Sequence, residues 1–151
     1  MSMSRFVALA LMLSVVVAAC DKASTPAVMS AEDKEFLDKA KAKEKARAAL
    51  DSAPWDFITS NKWTRIDKGI VNTYTRAGSI EFTNKSQFDV TDVEGKITYL
   101  SKAGGEMAIV PFKATGEVRA GTTVTLPVVA GEISGFAPTA KVRVERVHVR
   151  G

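Results

Sequence analysis

Ser79-Ile80-Glu81-Phe82-Thr83, the turn Asn84-Lys85-Ser86, and then Val93-Glu94-Gly95-Lys96-Ile97-Thr98-Tyr99 are the residues that decide the fold. Ile80 and Phe82 alternate with Ser79, Glu81 and Thr83, while Val93, Ile97 and Tyr99 alternate with Glu94, Lys96 and Thr98. Successive side chains of an extended strand point to opposite faces. Each stretch therefore reads as a strand with one face in a core and one in water.

The same alternation recurs outward from this pair. Strands are expected at 63–66, 70–75, 79–83, 90–100, 107–113, 122–129 and 140–149. The breaks between them carry turn residues: Asp67-Lys68-Gly69, Asn84-Lys85-Ser86, Ala103-Gly104-Gly105, Ala120-Gly121, and Gly135 through Pro138. Short alternating strands with regular turn clusters predict an all-β fold, an antiparallel β-sandwich spanning 54–151. No internal repeat is visible. Trp55, Phe57 and Trp63 are expected to plug the open end of the sandwich, with a recognition surface as the alternative reading.

Ile80-Glu81-Phe82-Thr83-Asn84-Lys85-Ser86, followed by Phe88 and Val90, Ile97-Thr98-Tyr99, a Gly104-Gly105 turn and Val118-Arg119-Ala120-Gly121-Thr122, resembles the FxLYD-type group of bacterial immunoglobulin-like domains. The resemblance covers roughly the second half of the chain. It implies an immunoglobulin-like antiparallel β-sandwich that serves as an interaction or spacing module, and it supplies no catalytic residue.

A different periodicity precedes the strands. Ser30-Ala31-Glu32-Asp33 resembles a capping box, with the serine oxygen placed to accept an early backbone N–H. Glu32, Asp33, Glu35 and Asp38 come first, and Lys39, Lys41, Lys43, Lys45 and Arg47 follow, in the order that complements a helix dipole. One charged α-helix is expected over 30–53, ending before Pro54, which disfavours helical geometry in the residue preceding it. Its apolar residues are few: Phe36, Leu37, Ala40 and then Leu50. A helix this polar reads as a solvated strut, with pairing of Phe36, Leu37, Ala40 and Leu50 against a partner helix as the alternative.

The chain opens on Arg5, an apolar run from Phe6 to Val17, and Val17-Ala18-Ala19-Cys20. The run is too short for the roughly 20 residues that cross a bilayer but fits the hydrophobic region of a secretory leader. The final four residues resemble the lipobox of bacterial lipoprotein signal peptides. That resemblance implies removal of 1–19 as a signal peptide, acylation of the Cys20 thiol and a lipidated linker over 20–29. The alternative is an ordinary secretory cleavage site. Cys20 is the chain's one cysteine, so no internal disulfide competes for it. Two or three acyl chains, at about 0.8 kcal/mol for each buried methylene, anchor a domain firmly. Asp21 resembles the sorting signal that retains lipoproteins of enteric bacteria in the inner membrane, so this membrane is favoured over the outer one. The expected location is the bacterial cell envelope, with the folded domain in the periplasm.

After the leader about 130 residues remain, enough for one domain with a core. Apolar residues at 46% and charged residues at 25% are ordinary for a globular chain and argue against global disorder. The formal net charge of +4, to which the leader contributes Arg5, is too small to point to nucleic acid, and no nucleic-acid partner is expected.

Candidate chemistry is sparse. His148 is the chain's one histidine, and neither a general base with its partner nor a spaced ligand cluster accompanies it. Asp89, Asp92 and Glu94 lie close together but lack the calcium-loop pattern. No nucleophile elbow surrounds any serine. No catalytic residue, metal or cofactor is expected, and the chain is read as non-enzymatic.

The last strand carries the most distinctive surface. Lys141, Arg143, Arg146, His148 and Arg150 alternate with valines, and the parity slips between Val144 and Val147, as at a β-bulge or an edge. Positive charge along an edge strand blocks unwanted strand pairing. A cationic stripe that contacts anionic lipid or peptidoglycan carboxylates is the sharper reading. The expected function is a membrane-anchored adaptor or binding module whose partner is another envelope protein, with direct binding of anionic lipid or cell-wall polymer as the alternative.

Overall fold

A computed structural model describes residues 30–70 and 73–150. The leader, Cys20 and Asp21 lie outside the described residues. Helix α1 spans Ala31–Ser52. The Ser30 hydroxyl accepts the Asp33 backbone N–H at 3.1 Å and donates to the Asp33 carboxylate at 2.7 Å, so the cap expected from the sequence is made. Pro54, whose missing N–H costs nothing at a first helical position, opens the single turn α2, Pro54–Phe57. No described helix is long and apolar enough to cross a membrane.

The strands are β1 (Ile58–Lys68), β2 (Tyr74–Asn84), β3 (Val90–Leu100), β4 (Glu106–Val118), β5 (Thr123–Ala130), β6 (Ile133–Ser134) and β7 (Thr139–Val149). All pairings are antiparallel, in the order β1-β2-β5-β4-β3-β7, with β6 beside β2. Strands β2 to β5 form a Greek key. Strand β5 serves both halves of the sheet: 123–127 pair with β2, and 128–130 pair with β4. Pro127, which has no N–H to donate, stands where β5 leaves β2.

The sheet curls so that its inner faces meet. Phe82 of β2 stacks on Phe112 of β4 with ring centroids 6.0 Å apart, and Trp63 of β1 meets Tyr99 of β3 edge-on at 5.7 Å. Ile80, Phe82, Val93, Ile97 and Tyr99, the apolar members of the alternating stretches, are all buried. The result is a mostly antiparallel, all-β structure with the coarse form of a sandwich.

Several boundaries differ from the sequence reading. Tyr74 and Thr75, from the strand expected at 70–75, run without a break into the strand expected at 79–83, so both belong to β2. The glycine between them makes no turn: a Cβ on Gly78 would stand 2.7 Å from Ile66 Cδ1, so glycine serves the close approach of β1. Strand β1 runs well beyond 63–66 and begins only after the α2 turn. The largest correction concerns α1. Most of it is solvated, with Phe36 73% exposed, but Leu50 is fully buried and Ala46 packs against the core. Leu50 therefore belongs to this chain's own core and is not available to a partner helix.

Candidate functional site

Strands β1 and β7 are the two ends of the sheet path, so each has one edge with no strand hydrogen-bonded to it among the described residues. The curl brings these two edges toward each other across a seam. Two adjoining cavities of about 470 and 290 Å³ lie along it, sharing Ser60 and Val142. Residues 58–63 of β1 form one wall and 140–144 of β7 the other, with Trp55 of α2 at one end.

The parity slip read from the sequence is a real bulge at a real edge. Glu94 pairs with Arg146 while the next residue, Gly95, pairs with Val144, which leaves Glu145 as the extra residue of β7. On the facing strand Asp92 takes a left-handed conformation, φ 49°, beside the same shift. Gly95 lets the two strands close here, because a Cβ at that position would run into the Arg143 carbonyl and stand 2.9 Å from Phe112 Cε1.

Val142 and Val144 face inward, the first half-buried and the second buried, whereas Lys141, Arg143, Arg146 and His148 are exposed. The basic residues of β7 therefore share the outer face, but they are not equivalent. Glu94 bridges Arg146 at 3.6 Å and Lys113 at 3.0 Å. Arg150, just past the strand, meets Glu117 at 2.7 Å, and the Arg150 and Arg119 guanidiniums hold the Glu117 carboxyl below its ordinary range. Lys96 on β3 takes Glu145 at 2.9 Å. Carboxylates of β3 and β4 thus pair with Arg146 and Arg150, while the bulge carboxylate goes to Lys96.

The seam half is different. The Arg143 guanidinium lies 4.4 Å from the centre of the Trp55 ring, an arrangement that keeps its charge and its outward N–H groups. Lys141 has no ion-pair partner among the described residues. No aspartate or glutamate lines the seam, whose walls present Lys62, Lys141 and Arg143 above an apolar floor of Ile58, Val142 and Val144.

The three aromatic residues are not equivalent. Phe57 and Trp63 pack against the core, and Trp55 is 39% exposed at the seam. The acidic trio is dispersed: Asp89 accepts the Ala120 N–H at 2.8 Å, Asp92 sits at the bulge, and Glu94 holds its two cations. Among the described residues no group of His, Cys, Asp and Glu is arranged to hold a metal ion. A second, mixed crevice of about 440 Å³ separates Ala40, Lys43, Glu44 and Arg47 of α1 from Phe88, Val149 and Arg150.

The seam itself was not foreseen, because a pattern within one strand carries no information about which distant edge will face it. Arg143 and Trp55 were each singled out in the sequence, but nothing in the sequence joined them. The chain matches no protein-family model, no characterised protein and no solved structure.

Proposed function

We propose that this chain is a lipid-anchored protein of the bacterial envelope, acylated at Cys20, which presents one immunoglobulin-like sandwich in the periplasm as a non-enzymatic adaptor for another envelope protein. The observation that carries the reading is the leader: a basic start, a short apolar run and Val17-Ala18-Ala19-Cys20. Retention in the inner membrane follows from Asp21. The Greek-key path and the aromatic pairs across the core support the immunoglobulin-like assignment.

The shape of α1 supports a tethered arrangement. At about 1.5 Å per residue its 22 residues span about 33 Å, and almost all of their side chains face water. Residues 40–50 of α1 flank the sandwich, so its first turns and the polar linker of 20–29 are the part that would separate the domain from an anchored Cys20. Partner binding is favoured over direct binding of anionic lipid or cell-wall polymer, because Arg146 and Arg150 already hold carboxylates.

Metabolic labelling with a palmitate analogue tests the anchor. The wild-type chain is expected to take up label and sediment with membranes, and Cys20→Ser to lose both properties. An unlabelled wild-type chain, or a mature start that leaves the thiol bare, would overturn the reading.

A further inference from the structure

Going beyond the adaptor reading and independently of it, we infer that the outer face of the half-sheet β7-β3-β4 receives the acidic first turns of α1 from a second copy of this chain. The strand register lays out the receiving face. Lys141 stands beside Thr98 and Ile109, and Arg143 beside Lys96 and Pro111, in successive cross-strand rows. Val129 of β5 adjoins them next to Lys113. Cations therefore dominate the β7 side, and Ile109, Pro111 and Val129 form an apolar patch on the β4 and β5 side. Ile109 is 52% exposed and Val129 81%, so the patch lies open to solvent.

Positive charge is concentrated on these rows. Lys96, Lys113, Lys141, Arg143 and Arg146 share them with two carboxylates, Glu94 and Glu145. Over the rest of 54–150, eight cations are balanced by eight carboxylates, so the rows hold the whole positive excess of the sandwich. Both carboxylates of the face are taken by its own cations, Glu94 by Lys113 and Arg146 and Glu145 by Lys96. Lys141 and Arg143 are left to meet an incoming carboxylate, and the Trp55 ring already steadies the Arg143 guanidinium.

Helix α1 presents the complement. Over 31–38, Glu32, Asp33, Glu35 and Asp38 stand against Lys34 alone, and all five are exposed. Residues three and four apart share a helix face, so Glu32 and Asp33 lie beside Phe36 and Leu37. Phe36 is 73% exposed and Leu37 39%, which makes this an open apolar pair flanked by acid. The dimensions agree as well. From β4 to β7 is two strand intervals, about 10 Å, close to the diameter of about 10–12 Å of a helix with its side chains. A helix lying along β3 sets Phe36 and Leu37 on the apolar patch while its carboxylates reach Lys141 and Arg143.

Each copy carries both halves of the contact. Two copies that exchange helices close a two-fold pair, whereas one-way docking extends into a row. An anionic bilayer fits less well: it takes up apolar side chains to a depth of about 5–10 Å, and those of this face stand in the same rows as the cations.

Energy transfer between donor-labelled and acceptor-labelled copies of the full chain in neutral detergent tests the inference. Wild-type copies are expected to give transfer that rises with protein concentration and falls in high salt. The Lys141→Glu, Arg143→Glu variant opposes an acidic helix to an acidic face, and the Glu32→Lys, Glu35→Lys variant a basic helix to a basic face. Each alone should associate roughly tenfold more weakly or worse. All four positions are exposed, so both variants keep the fold, as far-UV circular dichroism would verify. Mixed with each other, the two variants should recover the wild-type transfer, because each supplies the charge that the other now needs. Wild-type copies that stay monomeric, variants that associate as the wild type does, or a mixture that fails to recover would each overturn the inference. So would phosphatidylglycerol vesicles that bind the wild-type chain and abolish the transfer, since the face would then belong to lipid.

Discussion

Asn84 illustrates how much one side chain can organise. Its amide nitrogen donates to the Phe88 carbonyl at 2.8 Å and to the Val118 carbonyl at 2.9 Å, while its oxygen accepts from the Ser86 N–H and hydroxyl. Both N–H groups are committed and the residue is fully buried, so the crossover between the sheet halves is tied to the end of β4. Tyr99 performs a comparable task across the core, where its hydroxyl accepts the Ala77 N–H at 2.8 Å and links β3 to β2. Tyr99→Phe should cost roughly 1–3 kcal/mol, because the buried Ala77 N–H loses its acceptor. Burial raises the Tyr99 pKa above its ordinary value. The unfolded tyrosine therefore ionises first, and the wild-type chain loses stability as pH rises past about 10. Urea denaturation across that range should give a shallower alkaline decline for the variant, and parallel curves would contradict this account. Asn84 was legible as a turn residue and Tyr99 as a core residue. Their partners were not, since Val118 and Ala77 are neighbours only after the sheet has curled.

The element that departs most from its sequence reading is α1. Composition correctly marked its first turns as solvated, but mean polarity conceals a single buried position. Leu50→Ala should cost roughly 2–5 kcal/mol in a denaturant melt, whereas Phe36→Ala should change stability by about 0.5 kcal/mol or less. Equal effects would mean that the helix end is not part of the core. The basic residues of α1 also stop short of its last turn, which carries none, so the pull of the helix dipole contributes less at that end than the order of charges suggested. The strands were legible where apolar and polar residues alternate without interruption, as in β3, whose bounds match the expectation. They were misread at Gly78, because a glycine that admits a neighbouring strand and one that makes a turn look the same in one dimension. The slip in β7 was legible for the opposite reason: a bulge changes the periodicity itself.

At the scale of the whole molecule, half of the strand pairings join strands that do not follow one another in sequence. Ile80 stands opposite Leu126, and Val90 lies between Val118 and Val149. Loop closure must precede the reward from such pairs, so refolding is expected in about milliseconds to seconds, as for other β-sandwiches. Stopped-flow fluorescence of Trp63, half-buried and in contact with Tyr99 only once the sheets have met, would register it, and a microsecond phase carrying the full signal would count against this order of events. The all-β class was readable because strands such as β2 and β3 alternate apolar and polar residues. The path of the chain was not, because the double pairing of β5 depends on contacts far beyond any local window. That double pairing has a mechanical corollary. Backbone hydrogen bonds join the halves along β5, as a spine joins the covers of a book, and the opposite side has no such binding. Thermal breathing should therefore be a gaping motion hinged at β5, widest at β1 and β7, with water reaching the interior first along that fore-edge.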